Sequence, residues 1–157
     1  MNIMNTLLKK FFATDTQSWS LLLVRLALAI VILPHGMQKA LGMYGGYGFE
    51  ATVNGFVGMG IPAFLAVLVI LAEFVAPILL LVGVGSRFMA FSIFLTLGGA
   101  MFIAGHVQHG FFMNWFGNQA GEGIEYFILV IGMSLALVVG GAGKFAIDTL
   151  IAKKINA

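Results

Sequence analysis

The fold is decided by long apolar stretches such as WSLLLVRLALAIVILPHGMQKAL, residues 19–41. Crossing about 30 Å of hydrocarbon takes roughly 20 mainly apolar residues, and a single segment can satisfy its backbone there only as a helix. This stretch meets both requirements, although Arg25 interrupts it. Similar stretches follow at residues 62–84, 88–105 and 123–139. The sequence therefore predicts an all-α, polytopic membrane protein built as a bundle of four transmembrane helices.

The amino-acid composition supports this class. Of the 157 residues, 61% are hydrophobic and 9% are charged, whereas an average soluble domain has about 25% charged residues. The net charge is only +2, and the basic residues stand at the ends of the apolar stretches. Because they form no basic face, nucleic-acid binding is not expected. The chain has no cysteine, so it contains no disulfide, thiolate metal site or cysteine-based redox relay.

The positions of the lysines and arginines predict the orientation in the membrane. Cytoplasmic helix ends carry an excess of these residues. An N-in, C-in arrangement in the bacterial inner membrane puts Lys39 on the far side and Arg25 within the membrane. The same arrangement puts the remaining basic residues in the cytoplasm, namely Lys9, Lys10, Arg87, Lys144, Lys153 and Lys154.

Three regions are predicted along the chain. Residues 1–16 form an N-terminal amphipathic segment at the membrane interface, residues 17–142 form the membrane domain, and residues 143–157 form an amphipathic basic tail. Two outer connections, 42–60 and 106–121, are rich in glycine and aromatic residues and are predicted to lie at the interface, cover the bundle or meet a partner. The apolar face of the N-terminal segment would consist of Ile3, Met4, Leu7, Leu8, Phe11 and Phe12.

Two ionisable residues, Arg25 and Glu73, lie well within predicted spans. An ionisable group at this depth is energetically expensive and usually marks a pair, a pathway or a site. On antiparallel neighbouring helices the two side chains would come within pairing range. The hypotheses are a structural ion pair that sets the register of two helices, or a path for protons or anions.

A second set of polar residues belongs to the outer ends of the predicted helices. An apolar pocket with a few converging polar groups is typical of a small-ligand site. In such a pocket Glu125 could exchange protons, Lys39 could keep that carboxylate ionised, and His35 could donate a hydrogen bond to a carbonyl oxygen. The alternative is ordinary placement of acidic residues at the positive end of a helix. The residues concerned are His35, Lys39, His106, His109, Trp115, Glu122 and Glu125.

Neither a metal ion nor haem is expected. His106 and His109 are three residues apart, but nothing resembles a strong ligand motif. A haem held by two histidines would need facing helices, for which His35 and His106 are the candidates. Phosphate-binding loops and nucleophile motifs are absent from the sequence.

Four groups of residues resemble the DoxX family of small four-helix membrane proteins over residues 18–150. They are Arg25 with PHGMQK (34–39), LAEF (71–74) with LVGVGSR (81–87), NW (114–115) with GEGIE (121–125), and GAGKFAID (141–148). In the last group Ala146 stands where the family usually has serine.

The resemblance implies a chain near the quinone pool. Members are associated with membrane redox complexes, among them a thiosulfate:quinone oxidoreductase subunit and a mycobacterial thiol oxidative-stress complex. A protein partner would then supply other redox chemistry, and a homo-oligomer is a further option. The resulting hypothesis is a subunit that binds quinone at the outer membrane level, with Glu125, His35 and Lys39 as catalytic residues and His106 and Trp115 completing the site. A non-catalytic assembly subunit and a small-solute transporter stay open as alternatives.

Overall fold

The computed structural model describes residues 3–156, except for the side chains of residues 4, 5, 7 and 156, and within that range its regular elements are all helices, with no strand. The predicted all-α class is confirmed. Residues 1, 2 and 157 of the predicted terminal segments, and the side chains of Met4 and Leu7, lie outside the described part. The helices are α1 (Ile3–Phe12), α2 (Trp19–Leu41), α3 (Gly48–Gly58), α4 (Ala63–Val82), α5 (Ser86–Ile103), a 3₁₀ helix (His106–His109), α6 (Glu125–Gly140) and α7 (Ile147–Asn156).

The ends of α2 follow from local sequence signals. The side chain of Ser18 accepts a hydrogen bond from the backbone amide of Leu21 at 3.2 Å, which satisfies one of the donors left free at a helix start. Gly42 ends the helix in the left-handed conformation, with φ of 71°, as glycine commonly does. The helix therefore covers the residues predicted from the apolar stretch.

Among residues 3–156, three helices are long and apolar enough to cross a membrane, namely α2, α4 and α5, with 23, 20 and 18 residues. The fourth predicted span is also helical and apolar, but α6 has only 16 residues. At 1.5 Å per residue it is about 24 Å long, less than the roughly 30 Å of a hydrocarbon core.

Helices α2, α4, α5 and α6 form a ring in that order, with consecutive helices antiparallel. Their shared core consists of apolar side chains with no solvent exposure, including Leu28, Ile32, Leu80, Ile93 and Leu137. Helices α1 and α7 pack together at the end where α2 begins, which we call the terminal end. Helix α3, the 3₁₀ helix and residues 110–124 lie at the opposite end, the loop end.

The outer connection 42–60 contains a helix that the sequence did not indicate. Helix α3 has no buried residue, and it packs against both α2 and α4. Its three glycines make the segment resemble a loop locally, because glycine is a poor helix former. The contacts with α2 and α4 that stabilise this helix cannot be inferred from its local sequence.

The predicted C-terminal tail begins inside the bundle. The carboxylate of Asp148, with 3% of its surface exposed, accepts hydrogen bonds from the amides of Gly85 at 2.7 Å and Ser86 at 2.9 Å. These are the first amides of α5, so Asp148 caps that helix from another part of the chain. The backbone amide of Asp148 also donates to Gly83 at 2.9 Å. Residues 143–148 therefore close the terminal end of the bundle.

Candidate functional site

A cavity of about 1020 Å³ lies between α2, α4, α5 and α6, and it extends along α5 to the loop end. Its wall is mostly apolar, and its volume is at the upper end of the range for small-molecule sites. Phe56 of α3, Met59 directly after that helix and Met113 of the last connection contribute to its cover. The polar side chains on its wall are His35, Lys39, Glu73, Ser92, Thr96, His106, Glu122 and Tyr126.

A glycine brings α2 and α4 into backbone contact beside this cavity. A Cβ atom on Gly36 would overlap the carbonyl group of Glu73 and lie 2.5 Å from the amide nitrogen of Phe74. Any larger residue would force the helices apart, as is usual where small residues form a helix contact in membranes. Gly36 therefore sets the register in which α2 meets α4, with Glu73 directly opposite.

This register pairs Glu73 with Lys39. The Lys39 ammonium contacts the Glu73 carboxylate, and Lys39 follows Gly36 by nearly one helical turn. The predicted pairing of Arg25 with Glu73 is wrong. Arg25 precedes Gly36 by about 16 Å along the helix axis, which is beyond the reach of its side chain.

Arg25 instead binds the C-terminal segment at the terminal end. It is 1% exposed, and its Nη2 atom donates to the carbonyls of Lys144 at 3.2 Å and Phe145 at 3.3 Å. Gly83 passes so close that a Cβ there would collide with the guanidinium group. Arg25, the predicted intramembrane charge, therefore holds residues 143–148 against the terminal end of the bundle.

Tyr126 was missed by the sequence reasoning. Its side chain lines the cavity, and its hydroxyl is buried without a hydrogen-bond partner among residues 3–156. The His35 ring lies 6.0 Å from the Tyr126 ring, centroid to centroid. A buried hydroxyl without a partner is unfavourable by about 1–3 kcal/mol, so a ligand that accepts a hydrogen bond there relieves this penalty. No local signal marks a tyrosine at the start of an apolar helix as functional.

The carboxylate of Glu125 is engaged by the last outer connection. Its Oε1 atom accepts from the Met113 amide at 2.9 Å and from Trp115 Nε1 at 3.1 Å. The expected contact of Lys39 with Glu125 is wrong, because Lys39 is paired with Glu73. Glu122 similarly accepts from the Asn114 amide at 2.6 Å. Neither Glu125 nor Trp115, whose side chain is 78% exposed, lines the cavity.

The histidines at this end have different surroundings. His106 lines the cavity, lies 2.9 Å through Nδ1 from the Glu122 carbonyl, and packs on the Phe127 ring at 4.5 Å. The ring of His109 packs against Gly121. Within residues 3–156, no three histidine or acidic side chains gather as a metal-binding group.

The pattern of the DoxX family matches residues 20–106, more than half of the chain. This chain belongs to the DoxX family. With three helices long and apolar enough to span a bilayer, this DoxX chain is a membrane protein.

The chain has a relative of similar size. The DoxX chain is 28% identical over 132 residues to a Bacillus subtilis (strain 168) protein named "Putative oxidoreductase CatD", and the alignment covers 84% of this chain and 87% of the relative. No solved structure matches the chain.

The residues that suggested DoxX membership form three structural contacts, of which the one between residues 113–115 and the carboxylates of Glu122 and Glu125 is described above. The motifs at 34–39 and 71–74 supply Gly36, Lys39 and Glu73, which make the α2–α4 contact at the cavity. Arg25 and the motif at 141–148 form the contacts that close the terminal end of the bundle. The cavity contact lies within the matched region of this DoxX chain, whereas Tyr126 and Glu125 lie beyond it.

Proposed function

We propose that this DoxX protein is a membrane subunit of a redox system and that it binds the head group of a quinone beside Lys39 and Glu73. One observation carries the proposal: an apolar cavity whose polar wall includes an ion pair, a histidine and an unpartnered tyrosine hydroxyl. The name of the Bacillus subtilis relative and the family's association with redox complexes support a redox role.

The polar groups suit the chemistry of this ligand class. A quinone takes up protons together with electrons when it is reduced. Glu73 can release or accept a proton at the cavity wall, and Lys39 compensates its charge. The His35 ring and the Tyr126 hydroxyl can donate hydrogen bonds to carbonyl oxygens, while the apolar wall excludes water. In this proposal Glu73 takes the proton-exchanging role that the sequence suggested for Glu125, and a protein partner supplies the electrons.

We further propose that α6 is the fourth membrane span and that both termini are cytoplasmic. Since α1 and α7 pack together, the two ends of the chain lie on one side. The terminal end carries most of the basic residues, and the loop end carries Lys39, which favours a cytoplasmic terminal end. Alkaline phosphatase fused to the C-terminus in a bacterial host should be inactive, and a fusion within residues 116–119 should be active. The reverse pattern would contradict the orientation.

Quinone content tests the site directly. The protein purified in mild detergent is extracted with organic solvent, and quinone is quantified per chain. Near-stoichiometric quinone is expected for the wild type and a marked loss for Glu73→Gln. The matched control is Glu50→Gln, which removes an exposed carboxylate on α3 that does not line the cavity, and it should retain quinone.

The other outcomes separate the alternatives. Loss in Glu125→Gln with retention in Glu73→Gln would return the proton role to Glu125. Background quinone in every variant would overturn the proposal. Co-purification of a redox protein would then favour an assembly subunit, and solute flux in proteoliposomes that depends on Glu73 would favour a transporter.

A further inference from the structure

The cavity has a second feature, which is an apolar side facing away from the bundle. Several side chains of α4 and α5 both line the cavity and are exposed on the outer surface of these helices. Leu71 of α4 is 47% exposed and Leu95 of α5 is 55% exposed. The residues with both properties along these two helices include Leu68, Leu71, Val75, Phe88, Phe91 and Leu95. The cavity is therefore open along the groove between α4 and α5.

A glycine of α5 also faces open space. Gly99 of α5 lines the cavity, and a Cβ atom there would meet nothing within 4 Å. At Gly36, by contrast, the neighbouring backbone leaves no room for a Cβ atom. The α2–α4 contact is thus tight at Gly36, whereas α5 borders open space at Gly99.

The groove lies where hydrocarbon would surround the protein. Both α4 and α5 are long and apolar enough to span a membrane, so the outer side of the groove faces lipid tails. Its cavity-lining residues on α5 run from Phe88 to Ile103, about 22 Å along the helix. The polar groups around Lys39 and Glu73 lie on α2 and α4, at the inner wall.

We infer that the groove between α4 and α5 is a lateral entrance from the bilayer and that it holds the hydrocarbon tail of the ligand. This inference rests on the proposed function. The head group enters first from the membrane, reaches the Lys39–Glu73 pair, and leaves its tail between Leu71 and Leu95. An apolar groove continuous with a cavity that ends in hydrogen-bonding groups matches a long-tailed, uncharged quinone. It does not match a water-soluble solute.

Two quinones with the same head group test the inference, one with a decyl tail and one with a methyl group in its place. Binding is measured as ligand retained at equilibrium by the full chain in nanodiscs, relative to empty nanodiscs. The entrance variants are Leu71→Trp and Leu95→Trp. The matched control is Leu129→Trp on α6, at a side chain 65% exposed that does not line the cavity.

The entrance variants should bind the decyl quinone about tenfold more weakly, the effect of roughly 1.4 kcal/mol of overpacking. Their affinity for the short quinone should stay close to that of the wild type, and Leu129→Trp should change neither affinity. Unchanged decyl binding in both entrance variants, or an equal loss for both quinones, would overturn the lateral entrance alone. If the wild type binds neither quinone, or releases only phospholipid on extraction, the proposed function fails and the inference fails with it.

Discussion

The Lys39 ammonium and the Glu73 carboxylate form the only ion pair among residues 3–156, and it joins α2 to α4 at the wall of the cavity. The side chain of Glu73 is 5% exposed, whereas that of Lys39 is 29% exposed. The carboxylate therefore depends on its partner more than the ammonium does, and the two residues should respond differently to substitution.

Replacing Lys39 with methionine should destabilise the protein because it leaves a buried carboxylate unpaired. We expect a loss of about 1–3 kcal/mol, less than the roughly 3–5 kcal/mol of a fully buried pair, since water partly screens Lys39. The double variant Lys39→Met/Glu73→Leu should recover much of that stability. Thermal unfolding in detergent measures both. A double variant less stable than Lys39→Met would contradict the assignment of the loss to an unpaired charge.

Replacing Gly36 with alanine should separate α2 from α4, because the added Cβ overlaps the backbone at Glu73. We expect a loss of about 1–3 kcal/mol from overpacking, together with reduced quinone retention as the Lys39–Glu73 contact is displaced. Gly132→Ala is the control, since a Cβ there meets nothing within 4 Å. Equal melting temperatures for the two variants would show that the helices do not meet as described.

Removing the Tyr126 hydroxyl should affect binding and stability in opposite ways. The hydroxyl has no partner among the described residues, so Tyr126→Phe should be as stable as the wild type or slightly more so. Quinone should bind roughly 2- to 10-fold more weakly, the effect of one lost hydrogen bond. Tyr47→Phe, at a side chain 88% exposed, is the control for both measurements. Lower stability with unchanged binding would assign Tyr126 a structural role.

Replacing Asp148 with alanine should loosen the terminal end. The substitution removes the acceptor for the Gly85 and Ser86 amides, and losing such a cap lowers stability by about 0.5–2 kcal/mol. Asp15→Ala is a suitable comparison, because Asp15 accepts only a local bond from the Gln17 amide. Thermal unfolding and the rate of trypsin cleavage near Lys153 report the change. Equal cleavage rates in the two variants would argue against the closing role of residues 143–148.

The positions of the long helices could be predicted from the sequence, whereas helix α3 could not. The apolar stretch at 19–41 is itself the condition for a membrane helix, so the prediction needs no knowledge of neighbouring residues. Helix α3 depends on packing against α2 and α4. Because it contains three glycines, a prediction from local sequence takes it for a loop. The role of Asp148 could not be predicted for the same reason, because the helix that it caps, α5, begins more than 60 residues earlier in the sequence.

The sequence by itself determined the helical class, the family and the short set of ionisable residues within the membrane, because apolar length and charge are local properties of the chain. Only the tertiary structure decided which charges meet. Helical periodicity places Arg25, Gly36 and Lys39 on one side of α2, and the sequence suggested Arg25 as the partner of Glu73 and Lys39 as the partner of Glu125. The register of two helices depends on the closest approach of their backbones. That contact occurs at Gly36, and it brings Lys39 to Glu73 while leaving Arg25 to bind the C-terminal segment.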